Sequence, residues 1–191
     1  MLEDSAARWL LVAHTALGVA AVGAATHLVL WLRRYVRGQS GRRRAVVRFA
    51  WLVLGLQLGA MVCGAVMYPT YKVEVRTAYL ENAQAIIASQ DTHAKAVARL
   101  AEREGTASTE PTATMELVKR ASLAARWFDV KEHWVALGAF VAAALVLVLS
   151  LWDPREGSAI APIVVGLAGI SCGTLWLAAI IGVLTAAWRA V

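Results

Sequence analysis

The stretch WVALGAFVAAALVLVLSLW, from Trp134 to Trp152, contains no charged residue and has a tryptophan at each end. An α-helix needs about 20 apolar residues to cross the hydrocarbon core of a lipid bilayer. Tryptophan favours the two membrane interfaces, because its ring is apolar while its N–H needs an acceptor. The stretch therefore predicts a membrane-spanning helix, and it decides the fold because three other stretches share its composition.

The three other apolar stretches run from about residue 9 to 32, from 49 to 68 and from 160 to 188. None of them contains Asp, Glu, Lys or Arg, and hydrophobic residues make up 59% of the whole chain. Lipid offers no hydrogen-bond partner to an unpaired backbone group, so spanning segments of this length must be helical. The sequence predicts an all-α integral membrane four-helix bundle embedded in a lipid bilayer.

The positive charge of the chain is concentrated between the first and second spans. Residues 33–48 contain seven arginines and no acidic residue, whereas residues 69–132 contain nine basic and nine acidic residues. Short loops rich in Lys and Arg remain in the cytoplasm. We therefore expect a bacterial cytoplasmic membrane protein with the 33–48 turn inside and with both termini and the 69–132 segment outside. Arginines confined to a short turn argue against nucleic-acid binding, which needs a basic folded surface.

The segment between the second and third spans predicts a helical hairpin outside the membrane. Residues 71–104 are rich in alanine and contain few helix breakers, and Gly105–Pro111 has the composition of a turn. Pro69 predicts a kink at the base of the hairpin, or the start of its first helix. We expect the hairpin to contact a protein partner or to cover the outer mouth of the bundle. The chain then divides into spans 1 and 2 with the basic turn (1–68), the outer helical hairpin (69–132), and spans 3 and 4 (133–191).

Two histidines near the outer membrane border are the first candidates for chemistry, because ionisable residues at membrane depth are rarely incidental. His14 lies five residues, or about 8 Å of helix, inside the border marked by Trp9, and His133 adjoins Trp134. Two histidines from different helices can ligate a haem b from both faces. We therefore predict His14 and His133 as haem ligands.

Two charged stretches flank the same border, at residues 68–76 and 127–133. Antiparallel neighbouring helices bring such stretches together. Lys72 and Arg76 are the predicted partners of a haem propionate or a quinone headgroup, because they carry the positive charge. A simpler interpretation is a set of ion pairs that fixes the hairpin, in which Lys72, Arg76 and Lys131 pair with Glu74, Asp129 and Glu132.

Other interpretations of the histidines remain open. His14 can instead form a hydrogen bond across the helices, for instance to Gln57, and His133 can simply be solvated. His27 lies about 140° around the helix from His14, so it completes no second haem site. Met61 and Met67 are alternative axial ligands, although methionine in an apolar span is usually a packing residue.

In architecture the chain resembles four-helix membrane cytochromes b, and its two charged stretches are similar to those of bacterial four-span membrane proteins without an assigned activity. The resemblance implies an electron-transfer subunit with one b-type haem near the outer face, working between a membrane quinol and a docked partner. The alternative is a non-catalytic scaffold or accessory subunit whose hairpin binds a partner protein. Two pairs of small residues, Gly55 with Gly59 and Gly169 with Gly173, suit packing within the bundle or a homo-oligomer.

Overall fold

The structure is a computed structural model that describes residues 4–39, 43–105, 114–156 and 159–187. These ranges are all-helical and contain no strand, which confirms the all-α prediction. The elements are α1 (Asp4–Val36), α2 (Arg43–Thr70), a π-helical segment (Tyr71–Leu80), α3 (Ala83–Glu104), α4 (Thr114–Leu151) and α5 (Ile160–Ala187). Most of the predicted turn, at 106–111, and the predicted end of the fourth span, at Trp188, lie outside the described residues.

Four helical stretches are long and apolar enough to cross a membrane: α1, α2 with the π-helical segment, α4 and α5. Large apolar side chains remain exposed along their length, for example Val19, Phe140 and Val183. Soluble monomers rarely expose so much contiguous apolar surface. These features fit an integral membrane protein.

The four long helices share one interior. α1 packs against α2 and α5, and α4 packs against α5 and α2, whereas no described Cα atom of α1 lies within 8 Å of one of α4. The largest fully buried side chains include Leu32, Val53, Leu145 and Val164, one from each helix. We call the end of these helices near Trp9, Tyr68 and Trp134 the outer end, and the end near Val36 and Leu151 the inner end.

The second of the two alternatives for Pro69, the start of a new helix, is wrong. Pro69 lies inside α2, and the helix continues directly as the π-helical segment Tyr71–Leu80. Proline removes one N–H from the helical ladder. The wider π-helical turn begins two residues after Pro69, which places this change of register next to the missing donor.

The predicted continuous helix over residues 71–104 is divided at Glu81 and Asn82. The Asn82 side chain caps α3, because its Oδ1 accepts the backbone N–H groups of Gln84 at 3.1 Å and Ala85 at 3.2 Å. α3 ends where the sequence predicted a turn, at Gly105, whose φ of 64° suits glycine.

The π-helical segment, α3 and the first half of α4 pack together around a small core of their own, which we call the outer assembly (residues 71–105 and 114–133). Its buried residues are Leu80, Ile86, Ala121 and Ala125. The π-helical segment continues α2, and the first half of α4 continues into the long apolar part of that helix. The outer assembly therefore stands directly on two of the four long helices.

Candidate functional site

His14 lies in the interface between α1 and α2, where a glycine leaves space for its ring. A Cβ atom added to Gly64 would lie 3.3 Å from Cε1 of His14. The His14 Nδ1 atom is 2.8 Å from the Ala60 carbonyl oxygen, so the bond is to Ala60 and not to the predicted alternative, Gln57. A carbonyl can only accept, so Nδ1 carries the hydrogen and Nε2 keeps its lone pair. Within the described residues, no hydrogen bond engages Nε2.

His133 lies elsewhere on its helix, where its side chain is exposed. Its Nδ1 atom donates to the Asp129 carbonyl oxygen of the same helix at 2.8 Å, which again leaves Nε2 free. No described contact joins His133 to His14, and no described Cα atom of α1 lies within 8 Å of one of α4. The structure therefore does not bring the two predicted haem ligands together.

Lys131 takes the inward position that the sequence assigned to His133. A Cβ atom added to Gly182 of α5 would lie 3.2 Å from the Lys131 Nζ atom, and Nζ is 5.5 Å from the centre of the Phe128 ring. The Lys131 charge is also close enough to act on the His14 imidazole. No described carboxylate lies within ion-pair distance of Lys131.

The sequence held a signal for this inward lysine. Phe128, Lys131, Val135 and Gly138 follow the three- and four-residue spacing of one helix face, and that face continues into the buried residues of α4. His133 is 200° from Lys131 around the same helix. When the helical period of the span is continued outward, it therefore predicts that Lys131 faces inward and that His133 is exposed.

Arg76 is fully engaged by carboxylates. It donates from Nε to Glu81 at 2.7 Å and from Nη1 to Asp129 at 2.6 Å. The second bond is one of the ion pairs between the two charged stretches that the simpler interpretation allowed, while Glu81 was not among the residues named in it. Lys72 is exposed, and its backbone oxygen accepts the Thr77 hydroxyl. Neither predicted propionate partner thus presents a free cation towards the interior.

Tyr71 adds an unpartnered polar atom at the outer end. Its ring stacks on Phe128, with ring centres 3.9 Å apart and an interplanar angle of 19°. Its hydroxyl is buried and has no hydrogen-bond partner. A buried hydroxyl without a partner is costly, and such a group calls for a ligand or a water molecule. Tyr71 was not among the predicted site residues.

A second polar cluster lies deeper in the shared interior, at Gln57, Ser171 and Thr174, all of which are buried. The Gln57 Nε2 atom donates to the Val135 carbonyl oxygen at 3.2 Å, and the Thr174 hydroxyl donates to the Ser171 carbonyl oxygen at 2.8 Å. Gln57 Oε1 and Ser171 Oγ have no partner. Gly138 makes this packing possible, because the Thr174 hydroxyl occupies the space that a Cβ atom on Gly138 would need.

The inner end carries a polar network of a different kind. The fully buried Tyr35 donates its hydroxyl to both Asp153 carboxylate oxygens, at 2.9 and 2.8 Å, and Arg155 lies 4.2 Å from the centre of the Tyr35 ring. Burial opposes ionisation of Asp153. The Arg155 backbone N–H, the Tyr35 hydroxyl and the charges of Arg155 and Arg43 outweigh it, and they hold the pKa of the Asp153 carboxyl below its usual value. Arg43 also donates to the carbonyl oxygens of Leu149 and Ser150.

The described residues contain no group of three or more His, Cys, Asp or Glu side chains positioned to hold a metal ion. A haem would therefore depend on single axial ligands from separate helices. No protein-family model, curated protein or solved structure matches this chain. The functional argument consequently depends on the geometry of the site alone.

Proposed function

We propose that α1, α2, α4 and α5 form a four-helix bundle in a bacterial cytoplasmic membrane. The basic 33–48 turn lies in the cytoplasm, and both termini and the outer assembly lie outside. The apolar exposed surface of the four helices and the seven arginines of the turn support this arrangement.

Cysteine labelling tests the orientation. In a variant whose two native cysteines are replaced by alanine, Q39C and D91C introduce one exposed cysteine each at opposite ends. A membrane-impermeant maleimide applied to intact spheroplasts is expected to label D91C, and to label Q39C only after lysis. Labelling of Q39C in intact spheroplasts would contradict the proposed topology.

Within this bundle we propose an electron-transfer subunit that binds one b-type haem through His14. The observation that carries this proposal is the His14 hydrogen bond to Ala60. Histidine ligands of metals commonly donate one ring N–H to a backbone carbonyl, which fixes the ring and leaves the other nitrogen free to coordinate. His14 has this arrangement in a half-buried position between two helices.

The residues around His14 fit a haem in part. Lys131 replaces Lys72 and Arg76 as the proposed propionate partner, because its ammonium points inward and has no described carboxylate partner, whereas Arg76 is committed to Glu81 and Asp129. His133 does not fit as the ligand opposite His14, since its side chain is exposed and lies about 200° around α4 from the inward Lys131. A bound haem would supply the one-electron chemistry. His14 would orient it, and Lys131 would hold its charged edge.

Visible spectroscopy of the detergent-purified protein tests this proposal. We expect a reduced-minus-oxidised b-type band in the wild type that is lost in H14A and retained in H93A, a matched imidazole on α3. H133A is expected to retain the band, because His133 does not face His14. Absence of a band in folded, haem-supplied wild type, or survival of the band in H14A, would overturn the assignment.

The alternative function, an accessory subunit that docks a partner protein, also has a specific observation in its favour. Leu123, Trp127 and Val130 form an exposed apolar stripe at four- and three-residue spacing on α4, on the outer assembly. Such a stripe above the membrane would be covered in a complex.

Blue native electrophoresis of membranes extracted in mild detergent distinguishes this alternative. W127E is expected to reduce a larger native assembly to the free subunit, whereas L100E, an exposed apolar position on α3, is expected to leave it intact. A wild-type chain that migrates only as the free subunit would count against the docking function.

A further inference from the structure

A groove of about 360 Å³ lies at the inner end of α1, where the apolar helix meets the basic turn. Its lining is aromatic and apolar along the earlier turns of the helix and cationic along the last ones. The lining residues include His27, Leu30, Trp31, Arg33, Arg34 and Arg37, and Gln39 completes the lining. The groove thus joins an apolar surface to a cluster of three guanidinium groups.

The apolar side of the groove has a fixed shape. The His27 and Trp31 rings of α1 both pack against Phe49 of α2, with all three pairs of ring centres between 5.1 and 5.5 Å apart. Leu30 is more than half exposed beside them. An aromatic wall held by two helices keeps the groove open towards the surface that faces lipid in the proposed bundle.

Among the described residues, no carboxylate neutralises the cationic side of the groove. No described carboxylate forms an ion pair with Arg33, Arg34 or Arg37. The other described arginines of this end with structural contacts are used differently: Arg43 caps carbonyl oxygens of α4, and Arg155 accompanies Asp153 and Tyr35. Three unpaired guanidinium groups beside an apolar wall are complementary to an anion that carries apolar chains.

We propose that this groove binds one anionic phospholipid of the inner leaflet. Arginine recognises phosphate oxygens through charge-assisted, often paired, hydrogen bonds. Basic pockets on the cytoplasmic side of membrane helices suit such headgroups. The phosphate diester lies against Arg33, Arg34 and Arg37, and the acyl chains lie along Leu30 and Trp31. The inference rests on the proposed membrane insertion and is independent of haem.

Native mass spectrometry of the full-length protein in detergent tests this binding. The probes are phosphatidylglycerol, phosphatidylcholine with matched acyl chains, and glycerol 3-phosphate. The variants are R33Q/R37Q, which removes two groove arginines, and R44Q/R48Q, which removes two exposed arginines of the same end outside the groove. Both double variants lose two positive charges, so a difference in their lipid binding depends on whether the arginines line the groove.

We expect the wild type to bind one phosphatidylglycerol about 100-fold more tightly than phosphatidylcholine, since each groove arginine contributes roughly a factor of five. R33Q/R37Q is expected to lose most of this preference and R44Q/R48Q to keep it. Equal binding of the two lipids, or equal loss in the two doubles, would overturn the proposal in favour of diffuse attraction. Displacement of the lipid by equimolar glycerol 3-phosphate would show that the site recognises the phosphate group alone, and it would overturn the lipid assignment.

The result is separable from the other proposals. Recovery of the chain only in the detergent-extracted membrane fraction supports insertion whether or not lipid binds. All four arginines changed are exposed, so the variants are expected to fold, and unchanged thermal melting in detergent checks this.

Discussion

The two ends of the long helices handle buried polar groups in opposite ways. At the inner end, Tyr35, Asp153 and Arg155 are joined by hydrogen bonds and an ion pair, although the buried Arg43 Nε atom of the same end has no partner. At the outer end, the Tyr71 hydroxyl has no partner and Lys131 points inward without a carboxylate, while deeper inside the Gln57 Oε1 atom is also unpaired. A closed network fastens helices together. Buried groups without partners call for a ligand or a water molecule, and most of those in the described interior lie at the outer end or in the middle, whereas the lipid groove proposed at the inner end is a surface feature.

The largest expected effect comes from the interior position that separates the two ends. G138V introduces side-chain atoms where the Thr174 hydroxyl lies, so the Thr174 side chain or the spacing of α4 and α5 must change. We expect a loss of about 3 kcal/mol in unfolding free energy, as for other overpacked cores. G55V is the control, because nothing lies within 4 Å of a Cβ atom there. Denaturant unfolding in detergent measures both, and equal losses would show that Gly138 does not fix the spacing.

A smaller effect is expected at the inner fastening. Y35F removes the hydroxyl that donates to Asp153 and is expected to cost about 2 kcal/mol at neutral pH, as for a hydrogen bond to a charged group. Y79F is the control, because the Tyr79 hydroxyl makes only a 3.5 Å contact with Ser89.

The same variant has a pH signature. The folded-state pKa of Asp153 lies below its usual value of 3.8. This carboxylate therefore stabilises the fold above that value, and the stabilisation is lost as the pH falls through the folded-state pKa. The difference in unfolding free energy between wild type and Y35F should be constant near neutrality and shrink on acidification. A difference that is independent of pH would show that the hydroxyl does not act through the ionised carboxylate.

A still smaller effect is expected at the paired charges of the outer assembly. R76Q breaks the bonds to Glu81 and Asp129, and we expect a loss of about 1 kcal/mol, because solvent screens the partly exposed carboxylates. Thermal melting at low and high salt checks this, since the loss should diminish as salt increases. A loss as large as that of Y35F would remove the distinction between the two ends.

The smallest effect is expected at the pair Arg120–Glu116 on the surface of α4, where both side chains are about half exposed. R120Q is expected to cost about 0.3 kcal/mol, as for other pairs at this spacing. It serves as the baseline for a charge change that alters neither end. A cost above that of R76Q would indicate a contact of Arg120 beyond Glu116.

The sequence predicted the depth of a residue along a helix better than the face of the helix on which it lies. The four apolar stretches were found because hydropathy sums over about 20 residues and tolerates local error. His14 and His133 were paired by depth, yet His133 is exposed and Lys131, two residues earlier, faces inward. The helical period shows which of the two faces inward. It does so only when the pattern of buried residues in α4 is continued across the predicted membrane border.

Local features of the outer assembly were predicted in part. Gly105 was identified as the start of a turn because the composition of residues 105–111 is a strong local signal. The division at Asn82 depends on two hydrogen bonds that one side-chain oxygen accepts, and the alanine-rich stretch that follows concealed it. An ion pair between the two charged stretches followed from the antiparallel course of the chain, whereas Glu81 lies beside Arg76 because of the π-helical register, in which the Glu81 backbone N–H donates to the Arg76 carbonyl oxygen at 2.9 Å.

The length of α4 has a mechanical consequence. Its 38 residues contain no proline and extend for about 57 Å, nearly twice the roughly 30 Å thickness of a bilayer core. A force applied near Trp127 therefore acts on a stiff lever whose other arm carries Gly138 and Leu145. Tilting the outer arm by a few degrees would slide these residues against α5. In the proposed topology, a force on the part of α4 outside the membrane would therefore produce shear between α4 and α5 within the bilayer.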